Sequence, residues 1–474
     1  MKSRILFISL AVVLALSVSL IGCGGEPEPE GPTIPDEPTT LIIGTARDTD
    51  EAMSIFEAMA AGPVMREFVE QVNLAGGVHL SAYDDADGDC YVPLEIDRRE
   101  FSVGTWDIGD VTAEICADIA DGDVHFLWGG PGTDCIYTQA PIANAANVVL
   151  LTFEGGATGI ANDPNKLALW PYVFVTLSYS DWYELPVLSA MLEAELGRTP
   201  RAYVVHIWGE HGEEYLATAE DNFDVVGDVE IPFDPAELLP DEVVLGAMAA
   251  LGDPADPNYD IFCCFAYPDQ VMPITALSQV LGFNPPAMIF GPGANFGFYA
   301  YSFGDPPGPA LIEGIMSFTI AAYAAKAEVT AVYDLIAERI DDDTGDPISG
   351  MPGLPGMLSL DYWGIPLYWA TCEMWLEAVE SVGYVDQELI RDALAAFEDD
   401  PAETILGETW YRMYGTPGYG GGNFDYLCHT GEIAQWQSGT FETVGYDGIT
   451  ADLPNYLVTA DFVFPMTDKW GWLP

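Results

Sequence analysis

The chain has 474 residues, 49% of them hydrophobic, and a formal charge of −61 from 75 acidic and 14 basic side chains. That length exceeds one ordinary core and implies two or three domains. The charge excludes nucleic acid as a partner, because phosphate backbones are bound by exchanging counterions for Lys and Arg, and it excludes electrostatic attraction to anionic lipid. A surface so acidic and poor in lysine suits high salt, an acidic medium or a lineage bias equally well.

The N-terminus is an address rather than fold. Lys2 and Arg4 precede an apolar run over residues 5–21, closed by Gly22 and Cys23. This is the order of a signal peptide over 1–22, and the run is shorter than the ~20 residues a membrane span needs. The Leu20-Ile21-Gly22-Cys23 junction resembles the bacterial lipoprotein signal. The resemblance implies lipidation of Cys23 and a body tethered at the outer face of the cell membrane. Residues 23–40 then form a linker rich in Pro and Glu, with nothing to bury, expected to be extended and disordered. No later stretch is apolar for long enough to span a bilayer.

From residue 41 apolar runs alternate with helical patterns. A strand over 41–45 leads into a helix carrying Met53, Phe56, Ala60, Val64, Phe68 and Val72 at helical spacing, ended by Gly76-Gly77. Residues 78–103 are irregular, with a hairpin expected around the acids at 84–89. A helix follows over 110–121, with Ile115 and Ile119 inward. Two short apolar runs, 125–128 and 148–153, then each stop in a Gly-rich turn: Gly129-Gly130-Pro131-Gly132-Thr133 and Glu154-Gly155-Gly156-Ala157-Thr158. A strand that stops in glycines and a hydroxyl presents backbone N–H groups and an OH to a small ligand, and two adjacent copies suggest one side of a cleft.

The rhythm restarts with helices at 181–197, 213–221 and 270–281 and strands at 201–207, 261–266 and 287–290. Strands separated by helices imply parallel sheets, and their number implies two α/β lobes. Long helices are predicted at 366–382 and 386–397, and a closing hairpin at 436–441.

Catalytic motifs are missing: no Gly-x-Ser-x-Gly, no His-Glu-x-x-His and no Walker loop occurs. His206 and His211, with Glu210 and Glu213 nearby, are read as a strand cap and a cleft residue rather than metal ligands. Asp85, Asp87 and Asp89 begin like a calcium loop, but Gly88 comes early and no Glu closes it; this run and the acidic turn at 341–346 are read as solvated loops. Besides Cys23 there are seven cysteines and no C-x-x-C pair, so neither zinc nor redox chemistry is indicated. Cys116 with Cys135, or Cys372 with Cys428, are possible disulfides, while Cys263 and Cys264 read as buried thiols. No cofactor is expected.

Several of these stretches together resemble the type I periplasmic binding proteins of the branched-chain amino acid (Leu/Ile/Val) group, the receptors of ABC importers. They are Asn73-Leu74-Ala75-Gly76-Gly77, the turn ending in Thr133, and Gly156-Ala157-Thr158 leading to Asn162-Asp163-Pro164 and Pro171-Tyr172-Val173-Phe174. Further along come Val205-His206 before His211-Gly212, then Phe290-Gly291-Pro292, and the Gln435-Trp436-Gln437-Ser438-Gly439 tail. The resemblance runs from about 41 to 441. It implies an α/β fold of two Rossmann-like lobes joined by a three-strand hinge: 41–175 with 317–424, and 176–316 with 425–474.

It also implies a non-enzymatic monomer that captures a small polar solute, such as an amino acid, an amide or a related carboxylate, and delivers it to a membrane permease. A sensor of the same fold, and an enzyme on the same body, are the competing readings. In such proteins Thr133, Gly156 and Thr158 would hold a solute carboxylate, and His211 and Tyr267 would face it from the second lobe. Gly293 stands where amino-acid binders carry the acid for the ammonium group; Glu154, Asp134 or Glu210 are substitutes from nearby turns. Phe56 and Trp208 are read as core residues, with a pocket wall as the alternative.

Overall fold

A computed structural model describes residues 34–49, 53–85, 88–161, 163, 165–176, 184–232, 243, 245–247, 258–281, 283, 285–304, 312–321, 323–324, 326–338, 360–411, 432–445 and 458–466. The chain divides into two units, Met1–Glu37 and Pro38–Pro474. Of the first, residues 34–37 are described, so the signal, Cys23 and most of the linker lie outside the described residues, as do Asp87, the acidic turn at 341–346 and Cys428. Among the described residues no helix is long and apolar enough to cross a membrane.

The second unit opens with β1 (Leu41–Arg47) and then two helices, α1 (Ser54–Met59) and α2 (Ala61–Leu74), where the apolar spacing predicts one. The chain breaks at Ala60, with φ −123° and ψ −105°. Pro63, in the first turn of the second helix, fits a helix start here: it offers no N–H to an earlier carbonyl, and the first turn is where a helix tolerates proline. A two-stranded ribbon follows, β2 (Val78–His79) with β3 (Tyr91–Val92), and Asp85 bridges to Gly88 at its tip, which is the expected hairpin. Next come β4 (Leu94–Glu100), α3 (Ile108–Asp121), β5 (Phe126–Trp128), α4 (Thr133–Ala146), β6 (Leu150–Leu151), the one-turn α5 (Thr158–Ala161) and β7 (Val173–Phe174). These strands form one parallel sheet in the order β4-β1-β5-β6-β7. The inner strands are continuous apolar runs, as buried parallel strands are, while the edge strand β4 carries charged residues and is largely half-buried or exposed.

The second sheet is built from β8 (Arg201–Ile207), β9 (Asp224–Ile231), β10 (Ile261–Phe265), β11 (Ala287–Phe290) and β12 (Met316–Thr319), joined in the order β9-β8-β10-β11-β12. All neighbours here are parallel. Its helices include α6 (Glu184–Leu196), α7 (Glu210–Asn222) and α8 (Pro268–Leu281). β9 is an edge strand that sequence reading misses: exposed and half-buried residues alternate along it, leaving no apolar run to detect.

After α9 (Ala327–Ala337) the chain returns to the first sheet through α10 (Ile365–Val382) and α11 (Gln387–Ala396). Trp375 of α10 packs edge-on against Phe126 and Trp128, at ring-centre separations of 4.9 and 5.3 Å. Gln387 donates to the His125 carbonyl and accepts from Val149 N, stitching α11 to the ends of β5 and β6. A small ribbon, β13 (Ala402–Thr404) with β14 (Gly407–Thr409), precedes a return to the second sheet. There β15 (Glu432–Gln437) pairs antiparallel with β12, followed by β16 (Thr440–Gly445) and β17 (Ala460–Asp461). The predicted hairpin pairs Trp436 with Phe441. Ser438 and Gly439, both at positive φ, form its two-residue turn, the conformation that matches strand twist.

Candidate functional site

The C-terminal ends of the first sheet's strands converge on a buried ionic knot. Arg47, the last residue of β1, sends two nitrogens to the Glu154 carboxylate at 2.8 Å each and its Nε to Glu57 at 2.8 Å. Arg66 and Arg98 reach the other oxygen of Glu57 at 2.7 and 3.0 Å. Burial pushes the Glu57 carboxyl up, and the guanidinium groups of Arg47 and Arg66 more than reverse this, leaving it below its ordinary value. Burial likewise opposes the charge on Arg47, and Glu154 and Glu57 hold its pKa above the usual range. The Ala60 break gives α2 a free N-terminus here, and Ala61 N donates to Glu154 at 2.8 Å. Glu154 is therefore consumed in structure and is not the substitute acid for a ligand's ammonium.

The two Gly-rich turns pack directly on each other. Gly132 N donates to the Glu154 carbonyl. Gly155, at φ +136°, lies so close that a Cβ there would sit 2.5 Å from the Gly132 carbonyl carbon and 2.6 Å from Thr133 N. No side chain fits, which is the physical reason for glycine at this point. Thr133 begins α4 and is fully buried; Gly156 is also buried, and Thr158 begins α5, half-buried.

Residues of the second sheet meet this surface. Gly212 lets α7 approach β8: a Cβ would lie 1.8 Å from the Ile207 carbonyl oxygen. That approach buries His211, whose ring stacks on Tyr267 at 4.8 Å. Tyr267 in turn packs edge-on against Phe56 at 5.8 Å, and its hydroxyl would be 3.4 Å from a side chain placed on Gly132. Burial drives the His211 imidazole down to about 3, against a hydrogen bond with the Gly291 backbone, so it is neutral at ordinary pH. The most extensive polar crossing belongs to Glu214 of α7. Its carboxyl accepts from Thr158 N at 3.3 Å, from Gly159 N at 3.2 Å and from the Tyr137 hydroxyl. Burial pushes Glu214 up to about 7 despite these donors. Asp134 of α4 makes a second crossing, accepting from Glu210 N at 3.1 Å.

Gly293 sits at φ +150° over α8, where a Cβ would come within 2.8 Å of Val271, so no acid fits. Its N–H donates to Asn295, which donates to Asp361 at 2.6 Å. Asp361 also receives Trp363 N and Gly364 N, and burial raises it to about 6. Sequence reading misses Glu214, and the link from Asp361 to Asn295, because these partners lie far along the chain and leave no local spacing to read.

Between α4 and the start of α7 lies a cavity of about 550 Å³, lined by Trp106, Asp134, Tyr137, Trp208 and Glu210 among others. Trp208 is 60% exposed there, which corrects its reading as core, whereas Phe56 is buried as expected. His206 is buried in β8, 3.9 Å from Asp228, while His211 stacks on Tyr267. Cys116 and Cys135 are free thiols, which overturns that pairing; Cys263 and Cys264 are buried thiols as read. In the acidic hairpin the groups that converge are His79, Asp84 and Asp89, with His79 Nε2 at 3.1 Å from Asp84 Oδ1.

No family model and no curated protein matches the chain. Solved structures do. The branched-chain amino acid transporter substrate-binding protein LivJ from Streptococcus pneumoniae, bound to isoleucine, is 15% identical, with a TM-score of 0.59 over 90% of this chain and all of that one. A solute-binding protein of an ABC transporter from R. palustris, bound to benzoate, is 14% identical, with a TM-score of 0.61 over 89% of this chain and 98% of its own. A fatty acid ABC transporter substrate-binding protein from Thermomonospora curvata gives 15% and 0.57, covering 88% and 93%. With one parallel and one largely parallel sheet whose strand ends meet at a seam, this chain has the two-lobed fold of the type I periplasmic binding proteins.

Proposed function

We propose that this protein is the extracytoplasmic solute-binding component of an ABC importer, capturing a small organic molecule between its two lobes and presenting it to a permease. The observation that carries the reading is the seam itself. Tyr267 and Glu214 of one lobe reach the Gly-rich turns of the other, and a cavity large enough for a small molecule remains beside them. Polar groups that cross a seam at few points make and break as a unit, which suits hinged closure over a ligand. Thr133, Gly156, Thr158, His211, Tyr267 and Gly293 belong to this seam region in the proposal, with Gly293 as backbone support. The lobes are taken as 41–175 with 317–424 and 176–316 with 425–474. The protein acts as a monomer, tethered through lipid on Cys23. Neither turnover nor a resident cofactor is part of this role.

Native mass spectrometry of gently purified protein tests the reading. A co-purifying solute that raises the unfolding midpoint on re-addition supports it. Chemical conversion of that solute on incubation would replace it with an enzymatic one. For the anchor, metabolic labelling with palmitate is expected to mark the wild-type chain and not Cys23→Ser; equal labelling would remove Cys23.

A further inference from the structure

The cavity beside the seam carries chemistry of one kind. Trp106 and Tyr137 line it with their polar tips already engaged: Trp106 Nε1 donates to Thr138 at 3.2 Å, and the Tyr137 hydroxyl donates to Glu214. Their remaining surface is aromatic. Trp208, from the other lobe, adds a third ring, more than half exposed where large apolar side chains are normally covered.

The charged groups in the wall are acids. Asp134 and Glu210 face each other across the seam, joined through one backbone N–H. The carboxyls of both are raised, first by burial; Glu213 raises both, and Asp134 further raises Glu210. Among the described residues lining the cavity there is no Lys or Arg. An anionic solute beside either carboxylate would meet like-charge repulsion. A neutral apolar one would strip water from them without return. Aromatic faces combined with uncompensated carboxylates favour an organic cation, through ring quadrupoles and ion pairing together.

Glu214 points the same way. The backbone N–H of Thr158, expected to receive a solute's carboxylate, and that of Gly159 beside it receive the protein's own carboxyl instead. The requirement for an anionic group on the solute is thereby removed.

Building on the solute-capture reading above, we infer that the solute is a small organic cation, a quaternary or primary ammonium compound, held by Asp134 and Glu210 between Trp106, Tyr137 and Trp208. Thermal unfolding and tryptophan fluorescence of the full-length protein, titrated with choline, tetramethylammonium and putrescine, test this. The controls are 3,3-dimethylbutan-1-ol, the uncharged isostere of choline, together with isoleucine and benzoate. All titrations run in about 1 M NaCl, where screening to roughly 3 Å removes diffuse attraction to the acidic surface. At least one cation is expected to raise the midpoint and quench fluorescence, with the isostere inert. Asp134→Asn and Trp208→Ala should each weaken it at least tenfold. Asparagine keeps an acceptor for Glu210 N, and Trp208 is exposed, so both variants should fold, which circular dichroism checks.

Equal binding of the isostere, undiminished binding by both variants, or no response to any cation would overturn the inference. If isoleucine or benzoate binds where cations do not, the inference falls and solute capture stands. If nothing in the panel binds and no solute co-purifies, both fall.

Discussion

The two faces that meet at the seam are held in shape by different forces. On the first lobe, Arg47, Arg66 and Arg98 gather around Glu57 and Glu154, so the Gly-rich turns rest on a floor of charge-assisted hydrogen bonds with fixed directions. On the second lobe the same depth is filled by rings. Tyr215 lies nearly parallel to Phe265 and, where β12 crosses the lobe boundary, to Phe318, at 4.5 and 5.2 Å, and His211 and Tyr267 stack beside them. Directional bonds fix one geometry, while stacked rings tolerate small slides at little cost. The comparison teaches that the first lobe is the template and the second the element that adjusts.

The largest expected effect breaks the template. Arg47→Met leaves Glu57 and Glu154 buried without their shared partner, and should cost about 3–5 kcal/mol in urea unfolding; a loss under ~1 kcal/mol would mean the knot is not a unit. Next comes the ring stack. Tyr215→Ala opens a cavity beside Phe265 and Phe318 and should cost about 3 kcal/mol, with the first lobe's amides retaining their hydrogen-exchange protection. If both lobes loosen together, the contrast drawn here fails.

Glu214 sharpens the comparison because it joins the two faces. Its buried carboxyl keeps its proton up to about pH 7, against an ordinary value of 4.5. The closed seam therefore holds this contribution fully below pH 4.5 and loses it as pH rises through 7. The difference between pH 4.5 and 8 should be of order 2–3 kcal/mol, and Glu214→Gln should flatten that part of the stability profile; an unchanged slope would remove Glu214 as its source. The smallest effect belongs to His211. With its pKa driven down to about 3, its ring resonances should stay fixed between pH 5 and 8 in an NMR titration. Movement in that window would mean the stack on Tyr267 opens to water.

What the sequence makes legible follows from range. Apolar runs mark β1, β5, β8, β10 and β11, with a glycine close behind β5, β8 and β11, because a buried parallel strand needs little more than a run and a stop. The Ala60 break was hidden by apolar residues that continue in helical phase on both sides. β9 was hidden because it lies at an edge. Trp208 was misread because a large indole predicts burial on composition alone, and only the fold shows it standing at a cavity. The pairings of Glu214 with Thr158, and of Asp361 with Asn295, join residues 56 and 66 positions apart, beyond any local pattern.

The arginine knot has a consequence for the outside of the molecule. Three of only 14 basic residues are turned toward Glu57 and Glu154, leaving few to offset the remaining acids among 75. The folded body must carry a sheath of mobile counterions, so neighbouring copies repel and positively charged molecules accumulate around each one before any specific contact forms. An electrolyte cloud of that sign enriches the very kind of solute the seam's cavity would accept, and thins the opposite kind.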